Sequence, residues 1–141
     1  MPKTVKIKTE VYCTLQVEGV HNWSECDLEE VIYLRDLHRH VFHIKAHKTV
    51  SHDDRDQEFI MLKHNIQYYL LNTYASEGQD GHFMDDYVCI FGEMSCEMIA
   101  KELVSKFDLS RCEVSEDNEN GAVVTVLKVG EKENEKSHLS N

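Results

Sequence analysis

Residues 9–21, TEVYCTLQVEGVH, place Val11, Cys13, Leu15, Val17, Gly19 and His21 at one parity, with Tyr12, Thr14, Gln16 and Glu18 at the other. A side-chain period of two belongs to extended chain, because successive Cβ atoms of a strand point to opposite faces. The segment therefore reads as a long strand with one apolar face and one polar face. Its buried side ends in a histidine, His21.

A second strand reads from LHRHVFHIKAH, residues 37–47, where Val41, Phe42 and Ile44 are β-branched or aromatic. A helical alternative exists, since His40, His43 and His47 stand at i, i+3 and i+7, but Thr49 and Val50 extend the β-branched run and favour a strand. In a strand, His38 and His40 share a face with Phe42, Ile44 and Ala46, while His43 and His47 fall on the other face with Val41 and Lys45. Two histidines two residues apart on one strand face can reach a single ion. A zinc site needs at least one further protein ligand, with an open fourth position if it is catalytic. His21, leaving the buried side of the first strand, is the candidate third ligand. The alternative is three unrelated histidines in a chain that has nine.

Beyond these strands, EFIMLKHNIQYYLLN sets Phe59, Leu62, Ile66 and Tyr69/Leu70 at helical spacing, after the turn signal SHDDRDQ. Residues 74–86 read as an acidic, glycine-containing loop, and YVCIF (87–91) as a short inserted strand. Ser95 is a candidate N-cap for a second helix in which Ile99, Leu103 and Phe107 align. Strands are expected at 111–117 and 122–129, joined by a turn at NENG. The order predicts an α+β fold, a four-stranded antiparallel sheet with two helices on one face. A single domain over 1–130 is expected, followed by a polar, disordered tail over 131–141.

The net charge of −11 opposes binding to a nucleic-acid backbone, whose affinity comes from Lys and Arg. No apolar run approaches the roughly 18 residues a membrane helix needs, and the first ten residues do not read as a signal peptide. Five cysteines, an odd number with no CxxC pair, suit free thiols in a reducing compartment, and a cytoplasmic location is expected. Cys13, Cys89 and Cys112 sit in apolar runs and read as inert. Cys26, in the polar stretch NWSECDLEE, is the candidate reactive thiol.

One carboxylate is out of place. The set Cys112, Val114, Glu116 is apolar except for its last member, and a buried-face glutamate is costly unless paired. It is either a strand-end residue reaching water or the base of a pocket, where two oxygens accept two parallel hydrogen bonds from the amidine-like edge of a pterin or guanine.

Taken in order, GVHNW, LHRHVFHIKAH, EFIMLK, MSCEMIAKEL and VSEDNENGAVV resemble the 6-pyruvoyl-tetrahydropterin synthase and 6-carboxy-tetrahydropterin synthase family over roughly residues 9–127. The resemblance implies a zinc ion (Zn2+) on His21, His38 and His40, and a pterin- or purine-like ligand anchored by Glu116 with Ser95 and Glu97 nearby. It implies the tunnelling fold (T-fold), assembled as an oligomeric barrel, a trimer or hexamer with sites between subunits. It further implies a lyase of pterin or 7-deazaguanine (queuosine) biosynthesis. The departures lie in the acid/base residues. The family's catalytic cysteine falls at Leu34, and its Asp-His dyad falls near Gln67 and Tyr68, neither of which relays a proton as that pair would. Three functions stay open: a zinc enzyme with a substitute base such as Cys26, a protein that binds the ligand without turning it over, and a fold in which zinc is only structural.

Overall fold

A computed structural model of the chain describes residues 5–75 and 87–127. The first expected strand is β1 (Thr9–His21) and the second is β2 (His38–Val50), linked by a segment holding a 3-10 helix, Glu29–Arg35. Helix α1 (Phe59–Tyr74) follows, then strand β3 (Val88–Gly92), helix α2 (Cys96–Phe107), and strands β4 (Arg111–Glu116) and β5 (Asn120–Thr125). The loop expected over 74–86 lies mostly, and the tail over 131–141 entirely, outside the described residues.

The sheet corrects the expected count. It has five strands in the order β3-β1-β2-β4-β5, and it is mixed, because β3 runs parallel to β1 while every other pairing is antiparallel. The apolar run VCIFG has no alternation to assign it to one face, and its Val88, Cys89 and Phe91 are all buried. A segment that short and uniformly apolar joins a sheet edge by burial rather than by pattern.

Both helices cover the same sheet face. Leu62, Ile66 and Leu70 of α1 and Ile99, Ala100 and Leu103 of α2 pack into one cluster with Cys13, Leu15 and Val17 of β1, Phe42, Ile44 and Ala46 of β2, and Cys112 and Val114 of β4. Each set is the apolar parity of its strand. The two helices are also tied by Glu102, which accepts hydrogen bonds from Tyr69 and Tyr74. Helix α1 starts at Glu58, whose carboxylate accepts from Met61 N–H at 2.7 Å, and α2 at Ser95, whose hydroxyl accepts from Met98 N–H at 3.2 Å. Both caps satisfy amides that have no intrahelical partner.

The polar end of the sheet is shaped by two local features. Gly19 leaves room for two aromatic rings, since a Cβ there would stand 2.6 Å from Phe91 Cε2 and 2.9 Å from Phe42 Cε2. The β4–β5 turn falls at Asp117–Glu119, slightly earlier than the expected NENG, and Asp117 and Asn118 have φ of 55° and 58°. Aspartate and asparagine tolerate the left-handed region better than other side-chain-bearing residues, so the turn forms where they stand together.

Candidate metal centre

The antiparallel register sets His21 directly opposite His38 and Gly19 opposite His40, and on the other side of β2 it sets Glu116 opposite Phe42. All four polar residues project from the face that carries the core, at its outer end. The imidazole centroids lie 4.5 Å (His21–His38), 5.4 Å (His21–His40) and 5.0 Å (His38–His40) apart. One donor atom from each of His21, His38, His40 and Glu116 lies within 4.8 Å of the other three.

Each ring is held by its Nδ1. His21 Nδ1 is 2.9 Å from the Met94 carbonyl, His38 Nδ1 is 2.8 Å from the Asp36 carbonyl, and His40 Nδ1 is 2.7 Å from Asp117 Oδ2. A carbonyl or carboxylate oxygen can only accept, so Nδ1 carries the proton and donates it. In the neutral ring this leaves the Nε2 lone pair free. The Nε2 atoms of His21 and His40 are buried without a hydrogen-bond partner. Glu116 Oε2 stands 2.9 Å from His21 Nε2 and Oε1 3.5 Å from His40 Nε2, close but off the direction a ring N–H bond requires. Outer oxygens that fix the tautomer and aim a second nitrogen inward are the arrangement of metal-ligating histidines.

Asp117 owes its place to the left-handed turn. Its Oδ1 accepts from Val41 N–H at 2.9 Å while its own N–H donates to the Val41 carbonyl at 2.8 Å, pinning the turn beside His40. The Val41 amide and the His40 ring hold its carboxyl below the usual carboxylate range. The SED of the 111–117 strand signalled Glu116 by parity. Asp117 gave no such signal, because its role depends on a turn conformation.

Beside the cluster is a cavity of about 500 Å³ lined by His21, His38 and Glu116 of the cluster together with Trp23, Leu34, Met94, Cys96 and Glu97. Ser95 also lines it. A larger hollow of about 750 Å³, bordered by His43, Lys63, Gln67 and Glu113, contains none of the four convergent donors, so size alone does not mark the site. His43 and His47 face away from the cluster; His47 Nε2 lies 3.5 Å from Glu113 on the opposite sheet face.

Cys26 requires a correction. Its polar sequence neighbours suggest an accessible loop thiol, but it is fully buried, with Sγ 3.6 Å from the Val31 carbonyl and 3.9 Å from that of Leu28. The loop folds back on itself through Trp23 N–H to the Leu34 carbonyl, 2.7 Å, and Arg35 Nε to the Cys26 carbonyl, 2.6 Å, which turns the charged neighbours outward and the thiol inward. Cys26 does not line the cavity. The thiol that does is Cys96, which burial and the carboxylates of Glu116 and Glu97 push up to about 12. It is held as a neutral thiol, a poor nucleophile and a poor ligand. Among the positions where the resembled family places acid/base residues, Leu34 lines the cavity, whereas Gln67 borders the other hollow and Tyr68 is exposed.

No protein-family model and no curated protein matches the chain. Among solved structures, it is similar to 6-pyruvoyl tetrahydropterin synthase from Caenorhabditis elegans, at 13% identity and a TM-score of 0.56 over 86% of this chain and 97% of that one. It is equally similar to an uncharacterized protein from Wolinella succinogenes, at 13% identity and a TM-score of 0.56 over 85% and 99%. At this identity the likeness is one of fold, and it extends over nearly the whole of each relative.

Proposed function

We propose that this chain is a zinc protein on the pterin-synthase fold that binds a pterin- or purine-like ring in the cavity beside the ion, without conventional pterin-synthase turnover. The observation that carries the metal is the set of three imidazoles whose Nδ1 atoms are all committed to oxygen acceptors, leaving Nε2 as the free donor of each ring in a group whose candidate ligand atoms lie within 4.8 Å of one another. Imidazole donors suit zinc among the common divalent ions. Bound there with a position left open, zinc would supply Lewis-acid polarisation of an oxygen presented to it; with a fourth protein ligand it would supply stability alone.

The side chains of the cavity support binding better than chemistry. Trp23, Leu34 and Met94 offer apolar walls for a flat ring, and Glu97 offers a carboxylate to a ring edge. The acid/base positions of the resembled family offer no such pair to the cavity: Leu34 has no proton to move, and the cavity's thiol, Cys96, keeps its own. We also propose that the chain assembles as a trimer or hexamer. Among the described residues β5 pairs with no strand on its outer side, β3 has there only an isolated bridge from Cys89 to Ala75, and Leu28, Tyr33 and Leu37 are more than half exposed. Light scattering should give a trimer or larger, and a monomer would remove the assembly from the proposal.

Incubation of the zinc-loaded protein with dihydroneopterin triphosphate tests the function. The expected result is no product above background, together with a ring compound retained through purification and identified by mass spectrometry. Multiple turnovers would decide for the enzyme instead, and absence of any retained or titratable pterin or purine would remove the binding reading.

A further inference from the structure

Resting on the zinc reading, we infer that Glu116 is the fourth protein ligand of the ion, so that the metal has no open position and acts as a structural staple. Four tetrahedral ligands at about 2.0–2.1 Å from zinc stand about 3.3 Å from one another. Glu116 oxygens lie 2.9 Å from His21 Nε2 and 3.5 Å from His40 Nε2, on either side of that spacing.

The sheet supplies the placement. Glu116 is the last residue of β4, paired with Phe42, and the next residue is clamped to Val41 and His40 through both backbone and side chain. The carboxylate is therefore delivered to the imidazoles by the register of three strands rather than by a free loop. Charge argues in the same direction. His21 is buried, and three neutral imidazoles would leave both charges of a divalent ion uncompensated beside the core. One carboxylate offsets half of that charge.

Closing the sphere has a functional consequence. A structural zinc site has four protein ligands, whereas a catalytic one keeps a position for water or substrate. A closed ion would tie β1, β2 and β4 together at the rim of the cavity. Recognition of a ring edge would then pass from Glu116 to Glu97, since the cavity's remaining carboxylate, Glu93, already accepts from the Ser24 amide and hydroxyl.

Cobalt substitution tests this without any assay of activity. Wild type, Glu116→Gln and, as a control on the other sheet face, Glu113→Gln are stripped of metal and refilled with Co2+ alone. Visible absorption is then followed as azide is added, and zinc affinity is measured by competition with a chromophoric chelator. Wild type and Glu113→Gln should show the intense band of tetrahedral Co2+, unmoved by azide. Glu116→Gln should show an altered band that azide shifts, and its zinc affinity should fall by about 100-fold, the upper end of what losing even an outer-shell partner costs. A wild-type band that azide shifts overturns the inference, and needs no variant to fold. So does an unchanged spectrum and affinity in Glu116→Gln. Wild-type protein that takes up neither Co2+ nor zinc overturns the zinc reading itself.

Discussion

His40→Ala should abolish the part of this protein's stability that depends on zinc. A ligand that binds only the folded state stabilises it by about 4 kcal/mol at a thousand times its dissociation constant. For a domain of this size that amounts to a rise in melting temperature of roughly 10 °C. Wild type should carry close to one zinc per chain by elemental analysis and should lose that increment in a chelator. His40→Ala should melt at nearly the same temperature with zinc or with chelator. The reason is positional: His40 contributes a buried nitrogen with no hydrogen-bond partner, and its other nitrogen is already committed to Asp117. Removing it opens one side of the cluster and leaves Asp117 without its ring partner. A wild-type melt that chelator does not move would show that the three imidazoles converge without holding an ion.

Strand parity makes most of the site legible in the sequence. A period of two is rigid, so the parity of Leu15 and Val17 carries through to His21, and that of Phe42 and Ile44 back to His40 and His38. The same rule put Cys112 and Val114 in the core and left Glu116 on their face. What parity cannot give is register. That His21 sits opposite His38, and Glu116 opposite Phe42, follows from how strands slide past one another, so the inclusion of Glu116 among the imidazoles was not legible. The strand at 87–91 was legible as a strand, but its place at the edge parallel to β1 was not, because its uniform apolar run carries no face preference. The polar neighbourhood of Cys26 misled for a different reason. Composition describes a stretch of chain, whereas burial belongs to one side chain, and a tight fold-back turned that thiol away from its neighbours.

Phe42→Ala should cost about 3–5 kcal/mol whether zinc is present or not, and should weaken zinc binding as well. Phe42 is fully buried, with its ring centroid 5.0 Å from Phe91, 5.2 Å from His21 and 5.9 Å from His40. It is both a core side chain and a ring that meets two imidazoles at nearly right angles. The missing Cβ at Gly19 makes room for this ring and for Phe91, so neighbouring residues cannot simply close over the void. Against a total stability of about 5–15 kcal/mol for an ordinary domain, the loss is severe. The contrast with His40→Ala separates the two roles. Urea denaturation in chelator should show His40→Ala close to wild type and Phe42→Ala far below it. In zinc, both should fall short of wild type. Phe42→Leu, which keeps most of the volume, should recover much of the metal-free stability while still binding zinc more weakly than wild type, because a branched aliphatic chain cannot reproduce the perpendicular ring contacts with both imidazoles. A metal-free loss below about 1 kcal/mol in Phe42→Ala would mean that the sheet end relaxes around the cavity, and that the imidazoles owe their positions to Met94, Asp36 and Asp117 rather than to the core beneath them.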